Sequence, residues 1–170
     1  MKKTIAMAAA ILMCAVPAHA QDAVAAADGA NTAKELAFIA APIKSARDLQ
    51  SYRNSGLDSP LDKLSSRNKA QFLRSLTFNE KGLTGFRYDV LEKDLTPTEI
   101  YAVLALFGSQ HLTPLLDGAT ARTALDSAVI DSGVGGMSSD AAMVAAYSGY
   151  ECVARATCAA RADHLCLESC

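Results

Sequence analysis

The sequence predicts an all-α domain, or one nearly so: a small bundle of five to six short helices with a disulfide-stapled C-terminal tail. Three observations carry that expectation. The stretch LTPTEIYAVLALFG, residues 95–108, holds a full set of helix start and stop signals. Strand-like alternation is confined to one short segment, and β-branched residues are sparse outside helical stripes. An Ala-rich stretch, DAAMVAAYSGYECVARATCAA, runs straight into the cysteines at the end of the chain.

The chain divides into a signal peptide over 1–20, a flexible leader over 21–31 and one helical domain over 32–170. Lys2 and Lys3 precede a short apolar run, and Ala18 and Ala20 of PAHA stand where a signal peptidase reads. The run is too short to span a bilayer, which takes about 20 apolar residues. Cys14 lies inside it behind Met13, which is not small, so lipid attachment is not expected. Cleavage after Ala20 leaves 150 residues, enough for a core. Loss of the two lysines leaves 14 Lys and Arg against 18 Asp and Glu, a formal charge of −4. That balance, with no basic stripe and no second apolar run of spanning length, argues against nucleic acid as a partner and against a transmembrane anchor.

Within the domain, TAKELAFIAAPI predicts a short amphipathic helix carrying Leu36, Phe38, Ile39 and Ile43, ended near Pro42. KSARDLQSYRNSGLDSP is read as irregular. Ser59 with Pro60 predicts a helix start, and Ser65 a restart, with Leu61, Leu64, Phe72, Leu73 and Leu76 at helical spacings. NEKGLTG breaks the pattern, and the first half of FRYDVLEKDL alternates like a strand. Thr96, Pro97 and Glu99 form a capping box with Pro at the first turn. Ile100, Val103, Leu104 and Phe107 make a buried stripe behind it, and Gly108 sits where a left-handed C-terminal cap belongs. A further helix is expected through TARTALDSAVI, then a glycine-rich loop, DSGVGGMSS. Ser138 or Ser139 then caps the Ala-rich helix that reaches the cysteines.

After cleavage four cysteines remain: Cys152, Cys158, Cys166 and Cys170. In an oxidising compartment that is the composition of two disulfides. Their spacing lacks the C-x-x-C-H of haem attachment, a redox C-x-x-C and paired zinc knuckles. A hairpin-like tail pairs Cys158 with Cys166 inside Cys152 with Cys170; the crossed pairing is the alternative. No metal or cofactor is expected, although His164, two residues before Cys166, is the natural fourth ligand if the tail held a metal.

No catalytic residue is assigned. His111 and His164 are far apart and read as surface or helix-end histidines. There is no H-E-x-x-H, phosphate loop or G-x-S-x-G. The expected contact surface is NEKGLTGFRYDVLEKDL, where Phe86, Arg87 and Tyr88 are residue types enriched in binding hot spots and Asp89, Glu92 and Asp94 add charge. Packing of Phe86 and Tyr88 onto the helices is the competing reading.

No motif identifies a family. In plan the chain resembles small exported helical immunity proteins, which combine a signal peptide, this size, an acidic balance and often disulfides. The resemblance implies a non-enzymatic periplasmic binding protein whose partner is another protein, a secreted toxin or an envelope hydrolase. A secreted structural or host-facing protein and an enzyme with an unrecognised site are the alternatives. The latter calls for a cleft joining His111 or His164 to a carboxylate and a hydroxyl.

Overall fold

The computed structural model describes residues 29, 31–116, 118–131 and 146–170. The expected signal peptide, most of the leader, and the glycine-rich loop beyond Asp131 with its Ser138 or Ser139 cap lie outside those residues.

The fold is mixed α and β, not all-α. Helix α1 covers residues 31–40, followed by α2 (Ala46–Asn54), a 3-10 turn (Pro60–Lys63) and α3 (Ser66–Ser75). Strands β1 (Thr77–Asn79) and β2 (Gly82–Arg87) come next, then α4 (Asp89–Asp94), α5 (Pro97–Ala105), a 3-10 segment (Gln110–Leu115) and α6 (Ala124–Asp131). Two long strands, β3 (Ala146–Ala154) and β4 (Thr157–Leu167), close the chain. The four strands form one antiparallel sheet in the order β1-β2-β4-β3.

Local chemistry explains most of the helices. The Ser45 hydroxyl accepts from the Asp48 amide to cap α2, which replaces the irregular segment expected there. Ser59 with Asp62 builds a capping box on the 3-10 turn, and Ser65 caps α3. Thr96 with Glu99 builds the expected capping box on α5, with Pro97 in its first turn. The α5 stripe is fully buried, and Gly108 adopts φ +69°, the left-handed conformation that ends a helix.

The expectation of a helix through the Ala-rich stretch is overturned where the structure describes it, since Ala146–Ala154 and Thr157–Leu167 are strands. Alanine's helix preference is worth only tenths of a kcal/mol per residue over most other residues. Each disulfide contributes ~2–4 kcal/mol, and both require the chain to reverse between Cys152 and Cys166. The cross-links and the packing of Leu165 and Leu167 outweigh local propensity.

One face of the sheet meets the helices. Phe86 of β2 and Leu165 of β4 are register partners on that face. Phe72 of α3 stands edge-on to Phe86 at 5.9 Å between centroids and to Phe107, just beyond α5, at 6.1 Å. Those three rings, with Ile100, Val103, Leu104 and Leu112, form the centre of the core.

The opposite face carries Gly85 and Cys166, again register partners, beside Tyr147 of β3. Here the β3–β4 hairpin folds back. Ser148 pairs with Leu165 and Tyr150 with Ala160, so that Arg161–His164 on β4 face Gly149 alone. Gly149 (φ +81°) and Asp163 (φ +63°) take the left-handed backbone that this bulge requires. The tip then reaches the C-terminus, where the Ala156 amide donates to the Cys170 carbonyl at 2.7 Å. A side chain at Gly85 would crowd the Leu165 carbonyl at 2.8 Å, with the Cys152 amide 3.7 Å away.

Candidate functional site

The segment expected to be a contact surface is a joint within the protein. Phe86 is 1% exposed and belongs to the core. Arg87 donates through Nε and Nη2 to the Asp89 carboxylate, and Lys93 donates to it as well. Arg87, then Lys93, holds the Asp89 carboxyl down at about 2 against the cost of its burial. The Tyr88 amide donates to the Asp163 carbonyl at 2.9 Å, and its ring oxygen accepts from Ser148 at 3.3 Å. Glu92 accepts from the Gly118 amide. Asp94 accepts from the amide and hydroxyl of Ser65 and from Asn68 Nδ2, joining α4 to α3. The aromatic and charged residues that read as a hot spot fasten β2 and α4 to their neighbours.

The cysteines are bonded as Cys152–Cys170 and Cys158–Cys166, the nested pairing, with Cα separations of 5.7 and 6.1 Å. The Sγ atoms of Cys152, Cys166 and Cys170 lie within 4.8 Å of one another, a grouping that would suit a thiophilic metal. All three are committed to disulfides and offer no thiolate charge. His164 is not part of that group; its Nδ1 lies 2.9 Å from the Ala162 carbonyl. It instead lines a depression beside Arg74, Arg87, Arg161 and Glu151, where Arg161 is ion-paired with Glu151.

The folded-back hairpin presents the most exposed aromatic surface among the described residues. Tyr147, Tyr150 and Val153 of β3 are 56%, 43% and 53% exposed. β3 is the last strand of the sheet, so these side chains have no further strand beside them among the described residues. Cys152–Cys170 ties the strand that carries them to the C-terminus, and Cys158–Cys166 cross-links its partner β4.

A second feature has a lining that includes no residue of β3. A cleft of about 450 Å³ opens between α1, the turn after α5 and the end of β4. Its depth is apolar, lined by Phe38, Leu83, Phe107, Leu112 and Leu167, and its polar groups include Lys34, His111 and Glu168. His111, read as a surface or helix-end histidine, stands at the start of the Gln110–Leu115 segment but is only 9% exposed, and its Nδ1 is buried without a hydrogen-bond partner. Burial, and then the charge of Lys34, lowers its pKa to about 4, so the imidazole is neutral at neutral pH. Lys34 is ion-paired with Glu168. Ser109 and Ser169 share this cleft, so it does bring a histidine, carboxylates and hydroxyls together. The hydroxyls are otherwise engaged: Ser169 donates to the Leu83 carbonyl at 2.6 Å and Ser109 to that of Phe107 at 3.5 Å. Neither forms the serine–histidine bond that nucleophilic catalysis uses.

Helix α1 roofs the cleft. A Cβ at Gly108 would fall 2.7 Å from Phe38 Cα, and one at Gly82 (φ +107°) 2.7 Å from the Phe38 ring. Gly108 meets the main chain of α1 and is needed for it to lie this close, whereas a side chain at Gly82 would displace the Phe38 ring. The amphipathic stripe expected on α1 is therefore only partly realised. Ile43, just past it, is buried and Phe38 is half-buried, whereas Leu36 and Ile39 are 60% and 61% exposed. The cleft residues come from distant parts of the chain and share no motif; the glycines at 82 and 108 are the only local trace of it.

Two disulfides fit an oxidising compartment. Among the described residues no helix is long and apolar enough to cross a membrane. Compared with protein-family models, curated proteins and solved structures, the chain matches none.

Proposed function

We propose that this is an exported, non-enzymatic binding protein of the periplasm that engages another protein through the outer surface of β3. Its narrower reading is an inhibitor of a secreted toxin or an envelope hydrolase. The observation that carries the proposal is the exposure of Tyr147, Tyr150 and Val153 on a strand that Cys152–Cys170 ties to the C-terminus and whose partner strand β4 is cross-linked by Cys158–Cys166. Tyrosine provides a large, stiff contact area with a polar tip, which is why it is enriched in protein interfaces. A strand held in place before binding loses little conformational freedom on docking, so more of the contact energy appears as affinity. The hydroxyls in the His111 cleft are bonded to main-chain carbonyls, which supports a binding role over hydrolysis.

The test uses the mature chain, immobilised, against the periplasmic fraction and the secreted toxins of strains that make it. A Tyr147→Ser, Tyr150→Ser double variant with unchanged melting temperature is run alongside. The proposal expects one protein retained in stoichiometric amount by the wild type and lost with the variant, and inhibition of that protein's activity in solution. Equal retention by both would reject the β3 surface. Absence of any stoichiometric partner, with the mature chain found in the medium rather than the periplasm, would reject the binding role.

A further inference from the structure

The cleft beneath α1 is separate from the β3 surface and carries its own inference. Its volume, about 450 Å³, is in the range of small-molecule sites, and its lining combines an apolar part with a polar one that holds Glu35 and Lys81 as well as Lys34, His111 and Glu168. Phe38, Leu83, Phe107 and Leu112 form the apolar part. His111 is nine-tenths buried there with Nδ1 unpartnered, an arrangement that is unfavourable unless something completes it. Lys34 lines the same cleft, so an ammonium group and an unpartnered imidazole nitrogen share one region. The anion that now answers Lys34 is the carboxylate of Glu168, from a side chain about half exposed at the mouth of the cleft.

We propose that the cleft binds a small organic carboxylate with an apolar body, whose carboxylate replaces that of Glu168 at Lys34 and accepts a hydrogen bond from His111. The apolar body lies against Phe38, Leu83, Phe107 and Leu112. Glu168 then acts as an internal competitor. Its pairing with Lys34 keeps the cation satisfied when the cleft is empty and gives way to a ligand that also buries apolar surface. A neutral imidazole suits this role, because it donates one hydrogen bond without the cost of a buried cation beside Lys34. The roof, α1, contributes both Lys34 and Phe38, so a ligand bound here also ties α1 to the sheet.

The experiment is titration calorimetry on the full mature chain with octanoate and 3-phenylpropionate, each against its alcohol, together with histidine proton NMR. Binding of at least one carboxylate is expected, roughly tenfold or more tighter than its alcohol, the size of a charge-assisted hydrogen bond. The His111 ring resonances should move on binding. Lys34→Met should bring acid and alcohol to equal affinity, and Glu168→Gln, which removes the competitor, should tighten the carboxylate alone. Both side chains are partly exposed, so the variants should fold, and one-dimensional spectra check that they do. Binding of neither acid, equal affinity for acid and alcohol in the wild type, or weaker carboxylate binding in Glu168→Gln would each overturn the proposal. None of these results depends on whether a protein docks on β3.

Discussion

Cys152 and Cys158 face one another in register across the tip of the β3–β4 hairpin, yet neither is bonded to the other. Each reaches instead to the C-terminal arm, Cys152 to Cys170 and Cys158 to Cys166. A bridge straight across the tip would close a short loop and leave the hairpin free to swing. Bridging to the arm fixes the tip against the sheet and brings Tyr147, Tyr150 and Val153 into one rigid unit.

Removal of either bridge should therefore loosen the hairpin before the helices. Cys152→Ala with Cys170→Ala and Cys158→Ala with Cys166→Ala should each cost ~2–4 kcal/mol, the outer bridge more because it closes the longer loop. Both together should cost less than the sum, since the nested loops share chain entropy. Urea unfolding gives the totals, and amide exchange should show faster opening at 146–167 than in α5.

The core centred on the three phenylalanines should be the most sensitive to truncation. Leu104→Ala should cost ~2–5 kcal/mol and Phe72→Ala ~3–5 kcal/mol. Leu36→Ala, on the exposed side of α1, should stay within ~0.5 kcal/mol of wild type. A Leu36 effect as large as that of Leu104 would mean that α1 packs with its apolar stripe inward.

The attachment of α1 should fail at Gly108. Alanine there meets both a left-handed backbone and the Phe38 main chain, which cannot yield as a side-chain tip would. The expected loss is ~1–3 kcal/mol, with amide exchange accelerated over 33–40 and the α5 amides unaffected. Unchanged exchange in α1 would contradict the close approach.

Stability should fall on acidification in two windows. A group whose pKa is depressed by folding adds stability above its unfolded value and loses it as pH drops through the folded one. For His111, the window runs from about 6.5 down to about 4. For Asp89, it runs from about 4 down to about 2. Urea midpoints across pH should lose the upper step in His111→Asn and only part of the lower step in Asp89→Asn, because Asp126, whose carboxyl is held down by Thr98, Arg122 and Thr123, shares that window. Identical profiles for a variant and the wild type would remove that group from the account.

The helix caps were legible because they are local. Ser59, Ser65 and Thr96 bond to amides within three residues, so adjacent letters carry the signal. The α2 cap at Ser45 has the same form but was masked by a polar helix with no buried residue behind it. Apart from the alternation that begins at Phe86 and Arg87, the end of β2, the strands were not legible, because β2 pairs with a segment nearly eighty residues later and small residues fill β3 and β4. The nested cysteine pairing did imply a chain reversal, and it was the better guide to the tail than alanine content. Phe86 to Asp94 read as a contact surface because hot-spot residue types are also joint-forming types, and the structure shows them with partners inside the protein. The His111 cleft is assembled from α1, the end of α5 and the end of β4, a convergence that no spacing in the sequence records.

The hairpin folded back with β3 outward is the premise of both the fold and the proposed contact surface, and the cysteine pairing tests it most directly. Trypsin with a Glu-specific protease, on unreduced protein, cuts after Glu151, Arg155, Arg161 and Glu168 and places each cysteine in its own peptide. Two linked species should result: Cys152–Arg155 joined to Ser169–Cys170, and Ala156–Arg161 joined to Ala162–Glu168. Cys152–Arg155 joined to Ala162–Glu168, or to Ala156–Arg161, would contradict that pairing, as would four free thiols.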